Sequence, residues 1–389
     1  MTSEACVASR RAPTTPALEL ADIVGAHGAR YRSAHALTPE QSAVLRDIVR
    51  CRTAALGGHL EVCDACGHSA PVYNSCRNRH CPKCQSSAAT KWIEARVERV
   101  LPTHYFHTVF TLPAELRGLA MHSRRLVFDM MFEAASATLL ELGRDPKRLG
   151  ARLGVTMVLH TWARDLTFHP HLHCIVTGGG LSFDGARWIS CRDQFLFPVE
   201  VMAALFRGKL LAALSRAHAR GQLDLGEAPV DPEGFDRLCR RLYKMRWHVY
   251  AKRPFGGPEQ VIRYLGRYTH RVGISNSRLV SMDTDSVTFR TKDGQQLTVP
   301  PQTFLSRFLQ HVLPRGFVKI RHYGLMAPTY ATTALPVARE LLIATSALPT
   351  PPTATAPPLD PSWRTRCPDC GMPALRRLPL PTTNERAPP

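Results

Sequence analysis

The amino-acid sequence predicts an α+β fold, in which an antiparallel sheet is flanked by helices. Three observations favour this class. Segments rich in aromatic and β-branched residues, which predict strands, are interspersed with long amphipathic segments, which predict helices. The Asp293–Gly294 pair between two alternating segments predicts a hairpin, and a hairpin joins antiparallel strands. The sequence shows no long internal repeat, and the mixture of strands and helices with an antiparallel hairpin favours α+β.

The predicted elements begin after a polar, irregular N-terminus, where residues 1–35 predict a loose tail. Residues 39–50 predict a helix, because Thr38 can cap it and proline suits its first position. Further helices are predicted at residues 92–101, 113–142, 199–220, 258–269 and 304–312. Strands are predicted at residues 104–112, 153–161, 171–177 and 247–251, before the hairpin at 279–299. Residues 348–361 are rich in proline and predict a linker.

The charge of the chain indicates a polyanionic partner. Its 389 residues include 50 Lys and Arg against 31 Asp and Glu, which gives a formal net charge of +19 at pH 7. Such a balance favours nucleic acid, and the alternative is a basic enzyme with a solvated positive surface. The sequence has no uninterrupted apolar run long enough for a membrane span, and its N-terminus lacks the apolar core of a secretory signal. We therefore expect a cytoplasmic, nucleoid-associated protein without a membrane partner.

Twelve cysteines without an export signal favour metal binding over disulfides. Two C-x-x-C knuckles, Cys63 with Cys66 and Cys81 with Cys84, are separated by 14 residues and together predict a structural tetrahedral zinc site. Cys76 and His80 lie between the knuckles and are alternative ligands. A third knuckle, Cys367 with Cys370, has no second knuckle near it in the sequence. It indicates either a truncated site or a site that takes its other ligands from elsewhere.

Basic residues surround the second knuckle and predict a surface that contacts DNA. They are Arg77, Arg79 and Lys83. The alternative is a solubilising surface on a module held together by metal.

A group of histidines predicts a second, open metal site. His171 and His173 flank Leu172 on a predicted strand, where alternate side chains share a face. A hairpin from the preceding strand brings His160 beside them. His169 is disfavoured because Pro170 and the strand entrance separate it from the pair. Three imidazoles leave coordination positions open for a substrate oxygen, as a catalytic metal requires.

A tyrosine pair predicts the nucleophiles. Tyr264 and Tyr268 are four residues apart and share one face of the predicted helix at 258–269. The same segment carries a row of arginines, Arg263, Arg267 and Arg271, suited to neutralising phosphates. A tyrosine hydroxyl can attack a phosphodiester when its oxyanion is stabilised. The alternative is a pair of amphipathic tyrosines at the rim of a core.

The order of these motifs resembles a known family. The segments are SCRNRHCPKCQ at 75–85, YFHTVFTLP at 105–113, LHTW at 159–162, HPHLHCIVTGGGL at 169–181 and YLGRYTHRVGISNSRL at 264–279. The His171–Leu172–His173 motif resembles that of the HUH (histidine, apolar residue, histidine) single-strand DNA endonucleases. The whole pattern, over roughly residues 40–330, resembles the two-tyrosine rolling-circle transposases of the IS91 type.

This resemblance implies an HUH-type antiparallel sheet and a chemistry. His171 and His173 would bind a divalent cation, magnesium or manganese, with His160 as the third ligand. Tyr264 and Tyr268 would cut single-stranded element ends and target DNA, leaving a 5′-phosphotyrosine and a free 3′-hydroxyl. A relaxase or replication initiator would share this chemistry, whereas a non-enzymatic zinc-dependent regulator would not need the histidines or tyrosines.

The resemblance also implies a division into domains. It implies a zinc-binding and DNA-contacting domain, expected at 36–100, and a catalytic domain, expected at 101–345. The composition places these between a flexible N-terminal tail at 1–35 and a disordered, proline-rich linker and tail with a lone C-x-x-C knuckle at 346–389.

Overall fold

A computed structural model describes residues 18–85, 99–192, 195–226, 232–255, 273–345 and 366–380. The helices are α1 (Leu20–Ala34), α2 (Pro39–Arg50), α3 (Arg117–His122), α4 (Arg124–Arg144), α5 (Val199–Ala219), α6 (Pro232–Lys244), α7 (Pro301–Leu309) and α8 (Ala334–Thr345). The strands are β1 (Gly58–Cys63), β2 (Ser69–Tyr73), β3 (Tyr105–Thr111), β4 (Arg152–Trp162), β5 (Phe168–Leu181), β6 (Trp188–Ser190), β7 (Val249–Phe255), β8 (Leu279–Met282), β9 (Val287–Arg290), β10 (Gln296–Val299), β11 (Ile320–Gly324) and β12 (Leu375–Pro379). The predicted α+β class is confirmed.

The largest sheet is antiparallel and has the order β11-β4-β5-β3-β7, with β6 also paired to β5. Helices α4 and α5 cover one face, where Phe128, Phe132 and Phe206 form the main core. Alternate residues of β5, such as Leu172 and Cys174, are fully buried in that core. The residues between them therefore lie on the opposite face of the sheet.

A second core joins the N-terminal part of the described chain to residues 274–312. It contains residues of α1 and α2 together with the small β8–β9–β10 sheet and α7. Cys81 and Cys84 are buried in the same cluster as Phe304. Residues from both sides of the expected domain boundary at 100 therefore share one apolar core.

The described part of the expected N-terminal tail is helical, because residues 20–34 form α1. Leu20, Ile23, Val24 and Tyr31 are buried and occupy one face of α1. A capping box formed by Glu19 with the third helical residue begins the helix. The sequence prediction was wrong here because the glycines of α1 weaken its helical propensity, whereas burial against α2 and α7 supplies the stability.

The expected C-terminal tail is also partly structured. Residues 375–379 form β12, which pairs antiparallel with β1 near the other end of the chain. The proline-rich linker predicted at 348–361 lies outside the described residues. Among the helices that the structure describes, none is long and apolar enough to cross a membrane.

Candidate active site and metal centres

The three predicted histidines converge on the open face of the large sheet. His160 of β4 and His171 of β5 are direct cross-strand partners, and His173 follows two residues later on the same face. One nitrogen from each ring lies within 4.8 Å of the others. His160 is buried, whereas His171 and His173 are partly exposed. The cluster therefore has a closed base and an accessible side.

Local hydrogen bonding fixes the tautomer of His171. Its Nδ1 atom lies 2.7 Å from the carbonyl oxygen of His169. A carbonyl can only accept, so Nδ1 carries the hydrogen and Nε2 keeps its lone pair. Burial lowers the pKa of His171 to about 4, so the ring is neutral at pH 7.

A fourth histidine supports the cluster from β3, and the sequence analysis did not assign it a role. His107 Nε2 lies 2.9 Å from Nδ1 of His173, and the two rings are nearly parallel. Burial lowers the pKa of His107 to about 4. One sequence feature could have indicated this role. His107 lies in the YFHTVFTLP segment, whose strand pairs with the HxH strand.

Two further side chains define the edges of the site. Trp162 stacks on His160 with ring centroids 4.6 Å apart. Arg117 Nη2 donates to Nδ1 of His169 at 2.9 Å, and His169 is not part of the histidine cluster in the described chain.

The predicted nucleophile segment lies outside the described residues. This applies to Tyr264 and Tyr268 and to the arginine row Arg263, Arg267 and Arg271. The described residues before the segment belong to the histidine sheet, and those after it contact the turn between β4 and β5. The preceding strand β7 pairs with β3. On the other side, Arg278 donates to the carbonyls of Gly273 and of Arg164, which lies between β4 and β5.

The cysteines form two clusters instead of the single predicted set. Cys81 and Cys84 lie with Cys51 and Cys76, whereas Cys63 and Cys66 lie with Cys367 and Cys370. The predicted set of Cys63, Cys66, Cys81 and Cys84 is therefore not assembled. The β1–β2 hairpin keeps the two knuckles apart. The first knuckle lies at the tip of the hairpin, whereas residue 74 lies at its base, beside Arg52. At 3.4 Å per residue, β1 separates tip from base by about 17 Å.

The first cluster, which we call the core cysteine cluster, consists of Cys51, Cys76, Cys81 and Cys84. Cys84 Sγ lies 3.5 Å from that of Cys51 and 3.6 Å from that of Cys76. These separations approach the edge of a tetrahedron with Zn–S bonds of about 2.3 Å, which is about 3.8 Å. Three of its four members are buried. The alternative ligand Cys76 belongs to it, whereas His80 belongs to no described cluster, and burial lowers the pKa of His80 to about 3.

The second cluster, which we call the terminal cysteine cluster, consists of Cys63, Cys66, Cys367 and Cys370. Cys63 Sγ lies 3.7 Å from that of Cys370, and Cys66 Sγ lies 3.6 Å from that of Cys367. Although burial raises the pKa of Cys63, hydrogen bonds from the backbone of Cys66 and Ala65 lower it to about 7.

The predicted DNA contacts near the second knuckle differ in their surroundings. Arg77 is exposed. Arg79 Nη1 donates to the carbonyl of Phe317 at 2.7 Å, and burial lowers the pKa of Arg79. Lys83 forms an ion pair with Glu19. Arg77 and Arg79 line a cleft that also includes Arg315, so the region is basic, but two of the three predicted side chains also have structural contacts.

Comparison with known proteins gives consistent matches over most of the chain. A family described as "Putative transposase" matches residues 154–333, and one described as "Transposase zinc-binding domain" matches residues 23–112. The chain is 44% identical over 371 residues to the "Putative transposase y4qJ" of Sinorhizobium fredii, covering 93% of this chain and 92% of that protein. It is 31% identical over 327 residues to the transposase for insertion sequence element IS801 of Pseudomonas savastanoi pv. phaseolicola, covering 80% of this chain and 76% of that protein.

These matches agree with the structure. The first matched region contains the three histidines of the β4–β5 hairpin, and the second contains the core cysteine cluster. The extent of the similarity to both relatives exceeds a single shared motif. The chain belongs to the IS91-type family of two-tyrosine transposases, which act in DNA transposition.

Proposed function

We propose that this transposase cuts and joins single-stranded DNA through a covalent 5′-phosphotyrosine intermediate, with a divalent cation bound by His160, His171 and His173. The observation that carries the proposal is the convergence of the three ring nitrogens on the open face of the sheet.

The histidine cluster fits such a cation in its chemistry. Three imidazoles suit manganese better than magnesium, and their number leaves positions open for oxygen ligands. When bound, the cation supplies a Lewis acid that polarises a non-bridging phosphate oxygen. The carbonyl of His169 orients His171 with its Nε2 lone pair available.

The neighbours of the other two histidines restrict their ring orientation. His107 contacts Nδ1 of His173 from outside the cluster, so the remaining nitrogen, Nε2, is the donor atom toward the cation. Trp162 stacks on His160 and holds its ring at the buried base of the site. The ligands are thus preorganised by contacts that do not depend on DNA.

The nucleophile in this proposal is the hydroxyl of Tyr264 or Tyr268. Its oxygen attacks the scissile phosphorus and loses its proton as the P–O3′ bond breaks. The products are a 5′-phosphotyrosine and a 3′-oxygen that takes up a proton. The reverse step, with a 3′-hydroxyl as the attacking group, joins strands without an external energy source. Two tyrosines permit two such exchanges, one for each strand end.

The contacts of the described residues on either side of the tyrosine segment support the proposal. β7 pairs with β3, which itself pairs with the HxH strand β5. Arg278 connects Gly273 to the turn after β4. The same segment carries Arg263, Arg267 and Arg271, which would neutralise phosphates of the DNA.

Structural zinc in the zinc-binding domain is assigned in this proposal to the core cysteine cluster. Its thiolates satisfy the tetrahedral donor set of a closed site, and its members lie within residues 23–112. Because the cluster packs against Phe304 and its neighbours, zinc there would stabilise the core shared by α1, α2 and α7.

A relaxase or replication initiator would use the same chemistry, but the family match favours transposition. A regulator without catalytic activity would have no need of the histidine cluster.

The discriminating experiment incubates the purified full chain and Mn²⁺ with single-stranded element ends labelled on the 3′ side of the cut. A covalent adduct on a denaturing gel is expected. The His171→Ala/His173→Ala variant should bind the DNA without forming the adduct. Cleavage without an adduct, or an undiminished adduct in that variant, would contradict the proposal.

A further inference from the structure

We propose that the terminal cysteine cluster is a second structural zinc site, which attaches the C-terminal segment 366–380 to the N-terminal β1–β2 hairpin. Together with zinc in the core cysteine cluster, this site would give the chain two zinc ions. It goes beyond the zinc-binding domain matched at residues 23–112, because two of its four ligands lie near residue 370.

The sulfur geometry favours a metal over disulfides. The four Sγ atoms all lie within 4.8 Å of one another, and the measured cross-knuckle separations are 3.6 and 3.7 Å. Those separations are near the tetrahedral edge of about 3.8 Å that Zn–S bonds require. A disulfide needs only two sulfurs at about 2.05 Å and would not account for a convergence of four.

The two knuckles have the same backbone geometry although 300 residues separate them. The N–H of Gly67 donates to the carbonyl of Cys63, and that of Gly371 donates to the carbonyl of Cys367, each at 2.9 Å. Both glycines have left-handed backbones, with φ of 75° and 73°, which a residue with a β-carbon rarely adopts. The first cysteine of each knuckle also donates its N–H to the carbonyl five residues later, at 2.8 Å.

The match of the two turns points to a shared ligand. Each knuckle is a tight turn that directs two thiolates toward one point, and the two turns face each other across the β1–β12 pair. Two facing knuckles are the usual construction of a closed zinc ribbon. The C-terminal knuckle is therefore the missing half of the site that begins at Cys63.

Contacts other than the cysteines align β12 but bury little. Asp64 forms an ion pair with Arg376 and Glu61 with Arg377, and the ring of His68 contacts the carboxylate of Asp369. Four of the five residues of β12 are exposed. Exposed ion pairs contribute little to stability, and a short strand without a buried apolar face is not held by hydrophobic burial. Apart from the backbone pairing of β12 with β1, the metal is thus the main interaction that would keep the segment in place.

The first test is the zinc content of the purified full chain, measured by inductively coupled plasma mass spectrometry. We expect two zinc ions in the wild type and one in the Cys367→Ser/Cys370→Ser variant. The control Cys239→Ser replaces a half-buried thiol outside both clusters and should retain two. A double variant that keeps the wild-type zinc content, or a wild type that holds one zinc ion, would overturn the proposal.

The second test measures attachment directly. A specific protease site is inserted between residues 346 and 365, and the cleaved protein is passed through a gel-filtration column. The C-terminal fragment should elute with the remainder of the zinc-loaded chain and should separate from it in the Cys63→Ser/Cys66→Ser variant. Separation from the zinc-loaded wild type would overturn the proposal. Adduct formation with DNA does not involve these cysteines, so it reports separately on the proposed function.

Discussion

His107 Nε2 lies 2.9 Å from Nδ1 of His173, across the pairing of β3 with β5. The two rings are nearly parallel, with centroids 5.1 Å apart. His173 is thereby oriented by a residue that is not itself in the ligand cluster. We interpret His107 as a positioning residue, since the ring nitrogen of a ligand histidine that does not bind metal usually has such a partner.

Replacement of His107 should weaken metal binding without removing a ligand. His107→Phe keeps a ring in this buried position but loses the contact to His173, so Mn²⁺ affinity should fall by about 10- to 100-fold. Mn²⁺ binding is measured by electron paramagnetic resonance, and the adduct yield should recover at saturating Mn²⁺. His107→Gln should retain part of the affinity, and the distant control His35→Phe should retain all of it. An unchanged Mn²⁺ affinity in His107→Phe would show that the contact is only structural.

His160 and His169 both neighbour His171 but should differ in their importance for Mn²⁺ binding. His160→Gln should lower Mn²⁺ affinity by at least about tenfold. The loss of a direct ligand should weaken binding at least as much as the loss of a residue that orients a ligand. His169→Gln should have little effect, since His169 contacts Arg117 and lies outside the cluster. Both variants are compared by Mn²⁺ titration of adduct yield after a thermal melt shows that they fold. Equal losses in the two variants would contradict the ligand set.

The two cysteine clusters should contribute differently to stability. Cys76→Ser removes a ligand of the cluster that packs into the core of α1, α2 and α7, where zinc binding is worth on the order of 10 kcal/mol. Cys66→Ser affects an exposed position beside β12. Scanning calorimetry should therefore show a much larger fall in Tm for Cys76→Ser, while each variant loses one zinc ion. A larger fall in Tm for Cys66→Ser would contradict this assignment.

Two neighbouring arginines should separate DNA binding from folding. Arg77 is exposed, so Arg77→Gln should reduce the slope of log Kd against log salt concentration by about 0.7 for single-stranded DNA. Arg79→Gln removes the donor to the Phe317 carbonyl and should lower the free energy of unfolding by about 1–3 kcal/mol. Fluorescence anisotropy across a salt series and urea unfolding measure the two effects. If Arg77→Gln left the slope unchanged, Arg77 would not be a phosphate contact.

Local sequence rules predicted the elements that depend on local physics. Thr38 accepts a hydrogen bond from the backbone of Gln41, and Pro39 begins α2, as the capping pattern indicated. The alternation of β5 correctly placed Leu172 in the core and His171 on the other face, because strand periodicity is independent of distant residues. The cross-strand pairing of His160 with His171 followed from the short turn between β4 and β5.

The features that depend on long-range pairing could not be predicted in this way. Sequence spacing groups each knuckle with its nearest neighbour. In the structure the β1–β2 hairpin separates Cys63 from Cys81, and the pairing of β1 with β12 brings Cys63 to Cys370. Cys51 is the C-cap residue that follows α2 and is not part of a C-x-x-C pattern, so only the folded core identifies it as a cluster member. His107 became recognisable only when β3 paired with β5.

The central claim is the tyrosine nucleophile, and one measurement tests it directly. The full chain is incubated with labelled single-stranded element ends and Mn²⁺, the adducts are resolved on a denaturing gel, and their peptides are mapped by mass spectrometry. Tyr264→Phe and Tyr268→Phe each keep an aromatic ring and should each still form one adduct, on the remaining tyrosine. The Tyr264→Phe/Tyr268→Phe double variant should fold, bind DNA and form no adduct. A tyrosine-linked adduct in the double variant would contradict the assignment.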